Sequence, residues 1–149
     1  MSQSDYCIRL ATLNDWNALS SLVAKMLVEH SSFDPLNSPS VVGEGILHGL
    51  RTNEAVFVAE KEGKLCGYVA WVHFPLSPEG LVSGLGTYVE PEFRKEKLSE
   101  RLRQEATDFC KRKGYTTIQG VAHKDNEAGL QSSLKNGFSV AGYLVTKSL

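Results

Sequence analysis

The chain has little cysteine, almost no excess charge and no long apolar run, and each shortage removes a class of protein. Its three cysteines, Cys7, Cys66 and Cys110, are odd in number and show no C-x-x-C spacing. Neither a disulfide framework nor a zinc knuckle is supported, and no metal is expected. They read as reduced core thiols. Sixteen Lys plus Arg stand against 17 Asp plus Glu, a net charge of −1, which lacks the basic footprint of a general nucleic-acid binder. No apolar stretch nears the roughly 20 residues that span a bilayer, and Met1-Ser2-Gln3-Ser4-Asp5 lacks the basic and apolar regions of a secretory leader. The expectation is a cytoplasmic protein with neither membrane nor nucleic-acid partners. Proline is sparse, with 5 residues, and no repeat or low-complexity tract is visible. Collagen-like, coiled-coil and disordered readings lose their support.

What is present suits a single domain over residues 1–149, with 42% apolar and 22% charged residues. At this length folding buries roughly 68–70% of the unfolded surface. Tyr6 to Leu10 alternates like a strand, and Thr12 or Asn14 can cap a helix carrying Trp16, Leu19, Leu22, Val23, Met26 and Leu27 at helical spacing. Residues 30–43 read as a loop around Phe33, before a weak helical stretch with Ile46, Leu47 and Leu50. Ala55–Glu60 and Leu65–Phe74, joined by Lys61-Glu62-Gly63-Lys64, predict a β-hairpin. Leu81–Val89 reads as the next strand, where Gly84 and Gly86 suggest a bulge or a close backbone approach. Lys95–Lys113 predicts a helix with Leu98, Leu102, Ala106, Phe109 and Cys110 inward and Gly114 as its cap. Tyr115–Ala122 is strand-like, Asn126–Asn136 helical, and Phe138–Thr146 predicts one or two closing strands. This is a mixed α/β order, an antiparallel hairpin followed by a strand–helix–strand unit.

Where Val89 ends at Pro91 and a helix follows, backbone N–H groups and the helix dipole favour an anion such as a pyrophosphate. Arg94 to Ser99 is the candidate cradle. The run Val89-Glu90-Pro91-Glu92-Phe93-Arg94 resembles the start of the acetyl-CoA motif of the GNAT N-acetyltransferase superfamily, V-x-P-x-[FY]-R-x-x-G-x-[GA]. Ile8-Arg9-Leu10-Ala11-Thr12 with Asp15 resembles that family's opening strand and helix, and Asn126 to Phe138 resembles its N-x-x-A…G-F segment.

The resemblance implies a GNAT-like acyl-CoA N-acyltransferase fold, a mixed α+β sheet splayed between its fourth and fifth strands and flanked by helices. It implies acetyl-CoA as cosubstrate and, as partner, an amine-bearing small molecule or protein. Thr87, Tyr88 and Val89 are then expected to bond the pantetheine arm. Arg94, Lys95, Glu96, Lys97, Leu98 and Ser99 would hold the phosphates, and Asn126 would contact the cofactor or cap its helix. Three positions depart from the family pattern. Lys97 and Ser99 stand where the motif has glycine and glycine or alanine, and Ser133 stands four residues before Gly137, where the family often places an acidic tyrosine.

Acetyl transfer to an amine needs a neutral amine, a stabilised oxyanion and a route for the thiolate. Ser133 is the candidate proton donor or relay, and His73, able to titrate near neutrality, is the candidate base. His123 and Tyr143 are weaker candidates, and no carboxylate precedes Glu90 on the third central strand. The cysteines occupy no identifiable nucleophile position, so direct attack is preferred to an acetyl-cysteine route. Glu29, Asp34, Glu44 and Glu79 would suit a cationic acceptor, whereas Phe33, Leu36 and Trp71 would suit an apolar one. The function expected is N-acetyl transfer to a primary amine. The alternative is a weak or inactive GNAT-like module that binds acyl-CoA or a protein partner in a regulatory role. Exposed closing strands would let the chain pair as a homodimer, and a monomer is the other option.

Overall fold

The computed structural model describes residues 5–30, 39–122 and 124–149. Five strands form one mixed sheet in the order β1-β2-β3-β4-β5. They are β1 (Cys7–Leu10), β2 (Ala55–Lys61), β3 (Lys64–Val72), β4 (Leu81–Val89) and β5 (Thr117–Gln119). Neighbours are antiparallel except β4 and β5, which run parallel. The helices are α1 (Trp16–His30), α2 (Pro39–Arg51), α3 (Leu98–Arg112) and α4 (Glu127–Lys135).

The hairpin forms where its turn chemistry predicts. Glu62 and Gly63 have φ of 53° and 79°, the paired positive values that match a two-residue turn to strand twist. From there the side-chain period of two divides the sheet. Val56, Val58, Tyr68, Ala70 and Val72 face Leu19, Leu22, Val23 and Met26 of α1 and Val42, Ile46 and Leu50 of α2. Ala55, Phe57, Ala59, Val69 and Trp71 face Leu98, Leu102, Ala106 and Cys110 of α3. Leu102 is fully buried, so truncating it to alanine removes about 2–5 kcal/mol.

The first helix is entered through a 3-10 turn, Leu13–Asp15. The Asp15 carboxylate accepts from the Thr12 N–H at 2.8 Å. The same carboxylate takes both forks of Arg9, at 2.8 and 2.9 Å, and so ties β1 to the start of α1. Arg9 also reaches Glu60 at 3.1 Å.

Four expectations are corrected. Helix α2 begins at Pro39, inside the stretch read as loop, and residues 31–38 lie outside those described. The helix expected from Lys95 begins at Leu98, because Pro91–Glu96 is a 3-10 turn and Lys97 is left-handed. Phe138–Thr146 forms no strand, and Val140, Tyr143, Leu144 and Val145 are exposed. Strand propensity needs a ladder partner, and β5 offers only three residues. Cys7 is exposed, because it lies on the edge strand, whereas Cys66 and Cys110 are buried.

Candidate active site

The site is built on β4, whose two edges are treated differently along its length. One edge is paired with β3, while the other meets β5 only at Leu81, Val82 and Ser83. Beyond Ser83 no described strand pairs that edge, so from Leu85 to Val89 it has no ladder partner among the described residues. Thr87, Tyr88 and Val89 lie in this stretch.

A bulge shapes the same stretch. Trp71 pairs with Gly84 but Val69 with Thr87, so Leu85 and Gly86 together oppose Ala70. The extra residue reverses the alternation: Val82 faces α3, whereas Tyr88, six residues on, faces α1. Gly86 sits at φ 115°, and a Cβ there would lie 2.6 Å from the Tyr68 hydroxyl and 2.9 Å from Met26 Cε. An L side chain there is strained and has to displace both groups. The displaced Leu85 carbonyl accepts from the Tyr68 hydroxyl at 3.3 Å, and burial pushes that phenol's pKa up, which keeps it a donor. Tyr68 was not singled out from the sequence, where the only signal is an aromatic in mid-strand beside a glycine-bearing one.

At its end β4 turns into the candidate cradle. Glu90 N–H donates to the Cys66 carbonyl at 2.8 Å, and Phe93 N–H closes the 3-10 turn onto Glu90 at 2.9 Å. Lys97 then adopts φ 57°, ψ 29°, the conformation a glycine would take without cost. No side chain caps α3, so the first-turn N–H groups of Leu98, Ser99 and Glu100 have no partner within the helix. Leu98 anchors the turn in the core, Ser99 and Glu96 are half-buried, and Lys95 and Lys97 are exposed.

Arg94 is held from three sides. Its Nε donates to the Val89 carbonyl at 2.8 Å, its Nη2 to Glu29 of α1 at 2.7 Å, and its guanidinium lies 5.4 Å from the Tyr88 ring centroid. Glu29 raises the Arg94 pKa further. A parallel pair joins Lys25 to Glu90 at 2.8 Å. Between α1 and β4 lies a shallow groove of about 460 Å³ lined by Ser21, Ala24, Lys25, Val28, Glu29 and Tyr88. The Tyr88 phenol is pushed up by burial, with Glu90 and Glu29 adding to it.

His73 lies at the opposite end of β4. Its Nδ1 is 2.6 Å from the Leu81 carbonyl; a carbonyl only accepts, so Nδ1 carries the proton. The ring stacks on Tyr115 at 5.4 Å between centroids, and the Tyr115 hydroxyl reaches both oxygens of buried Glu54 at 2.8 and 2.9 Å. Leu81 is still paired with β5, so His73 is engaged where the sheet is closed. Ser133 is half-buried on α4, a helix with no buried residue. Asn126 caps α4, its Oδ1 accepting from Gly129 N–H at 3.0 Å. Tyr143 is exposed, and Trp71 is buried on the α3 side of the sheet. Glu44 and Glu79 are exposed. Phe33, Asp34, Leu36 and His123 lie outside the described residues.

Among the described residues no His, Cys, Asp and Glu are grouped to hold a metal, and no helix is long and apolar enough to cross a membrane.

The aminoglycoside N-acetyltransferase AAC(6')-Iy, in complex with the bisubstrate analogue CoA-S-monomethyl-acetylneamine, is 18% identical with a TM-score of 0.71 over 97% of both chains. The PaiA N-acetyltransferase from Thermoplasma acidophilum, in complex with coenzyme A, is 20% identical with a TM-score of 0.70, over 94% of this chain and 91% of that one. An N-acetyltransferase from Staphylococcus aureus Mu50 is 23% identical with a TM-score of 0.72, over 92% and 85% of the two chains. These likenesses carry the fold. A search of curated proteins finds no match. The sequence itself matches the family description over residues 21–138, from the middle of α1 past the end of α4, and the chain therefore belongs to the Acetyltransferase (GNAT) family.

Proposed function

We propose that the chain is a cytoplasmic, acetyl-CoA-dependent N-acetyltransferase that acts on a primary amine of a small molecule or protein, by direct attack in a ternary complex. The observation that carries this reading is the open edge of β4 running into an uncapped helix start. An unpaired strand edge suits the amide-bearing pantetheine arm as a pseudo-strand, and the α3 N-terminus suits the pyrophosphate. These residues fit the cosubstrate: the backbone of Thr87, Tyr88 and Val89 would take the arm, and the segment Arg94 to Ser99 the phosphates. Asn126 would add a contact from the α4 cap. When bound, acetyl-CoA supplies an acetyl group activated as a thioester. Solved neighbours that hold coenzyme A or an aminoglycoside-derived analogue support both the cosubstrate and an amine acceptor.

An alkylammonium of pKa about 10.4 is mostly protonated at neutral pH, so its proton must leave. His73 is the proposed base, since Nδ1 donates to the Leu81 carbonyl and leaves Nε2 to accept, with water carrying the proton to it from the acceptor amine. Ser133 is the proposed donor or relay toward the departing sulfur. Neither buried thiol suits a covalent route, since burial pushes both Cys66 and Cys110 up, the latter to about 11.

Calorimetric titration with acetyl-CoA, beside desulfo-CoA and adenosine phosphates, tests the binding half. Thiol release with a panel of amines tests the transfer half, and Ser133→Ala should lower turnover more than cofactor affinity. Folded protein that binds no acetyl-CoA would overturn the reading. Ser133 in place of the usual tyrosine favours one second reading, a regulatory module that binds acyl-CoA without transfer. Binding without turnover on any amine would select it.

A further inference from the structure

We propose that Glu29 is a displaceable stand-in for the cosubstrate's phosphate on Arg94, so that cofactor binding moves Arg94 off α1 and turns the Glu29 carboxylate over to the groove beside Tyr88. The inference rests on the acetyl-CoA reading above and adds a residue that sets cofactor affinity.

Arg94 is oriented by two contacts that need no ligand: its Nε on the Val89 carbonyl and its guanidinium over the Tyr88 ring. Its Nη2 is left for an anion, and the anion present is Glu29 at 2.7 Å. A carboxylate and a phosphate offer a guanidinium equivalent acceptor oxygens. Both side chains of the pair are near 40% exposed, at 43% and 41%, and exposed pairs are weak. A pyrophosphate, with more charge and the α3 N–H groups as additional partners, out-competes it. Glu29 also lines the groove between α1 and β4, where Lys25, one helical turn earlier, is held by Glu90. Once Arg94 turns to the phosphate, Glu29 stays on the groove wall beside Tyr88, without its contact to Arg94.

Glu29→Gln keeps the shape and removes the competing charge. Calorimetry with acetyl-CoA should then show binding about two- to five-fold tighter than wild type, the worth of an exposed pair. In an Arg94→Gln background the same substitution should change nothing. Glu92→Gln removes an equal charge from the exposed 3-10 turn without touching Arg94, and its affinity should stay at the wild-type value. Three results would overturn the inference: no tightening in Glu29→Gln, tightening that persists without Arg94, or equal tightening in Glu92→Gln, which would mark a general field effect. Wild-type protein that fails to bind acetyl-CoA at all would instead overturn the underlying reading together with this one.

Discussion

Replacing Lys97 by glycine should make the protein more stable, although it removes a charged side chain from the site. Lys97 holds φ 57° and ψ 29° between the 3-10 turn and α3. A left-handed conformation costs a residue with a Cβ roughly 1–2 kcal/mol. Glycine removes that cost but returns about 0.4–1 kcal/mol through the greater freedom of the unfolded chain. The balance is a gain of ~0.5–1 kcal/mol, about 1–4 °C in Tm for a chain of this size. Urea unfolding monitored by circular dichroism, with the slope unchanged, reads the difference directly. Lys97→Ala serves as control: it loses the charge and keeps the strain, so it should stay within about 0.5 kcal/mol of wild type. A glycine variant no more stable than the alanine variant would refute the reasoning. It would show that the surrounding turn, rather than the Cβ, sets the energy of the left-handed residue.

Tyr115→Phe should cost about 1.5–3 kcal/mol in urea unfolding, because it strips the hydrogen bond from a charged group at Glu54, which is only 8% exposed. The penalty should shrink in a Glu54→Gln background, and a penalty unchanged there would deny the coupling. Arg9 holds Asp15 below its usual value. That contribution is therefore complete above the unfolded carboxylate range near pH 4, and is lost as pH falls through the depressed folded value. Thermal melts from pH 7 to 3 should show Asp15→Asn with a shallower acid-side loss than wild type, and parallel curves would contradict the pairing. With Ellman's reagent, exposed Cys7 should react quickly in native protein while buried Cys66 and Cys110 wait for denaturant. Burst reaction of all three would contradict their burial.

Features written in local pattern were legible from the residues alone. The hairpin follows from alternating apolar runs around Glu62-Gly63, β4 from the run Leu81–Val89, and the α3 core face from Leu98, Leu102, Ala106 and Cys110 at helical spacing. The period of side chains and the backbone tolerance of turn residues are local properties, so a single sequence carries them. The cradle was legible for the same reason, as a strand, a proline and a helix start in succession. Phe138–Thr146 has strand propensity and forms no strand, because propensity is local while pairing is not. The contacts of the His73 ring with Leu81 and Tyr115 come from outside its own strand and are not visible in local pattern.

Local pattern carries the mixed α/β order, the hairpin and the family's phosphate-loop pattern, because periodicity and turn chemistry act over a few residues. Packing of the whole chain sets the bulge of β4 opposite Ala70, the end of its ladder with β5 at Ser83 among the described residues, and the meeting of Glu29 with Arg94 across 65 residues of chain. Register and long-range ion pairing depend on which elements pack together, and that is settled by burial of the whole core rather than by any one segment.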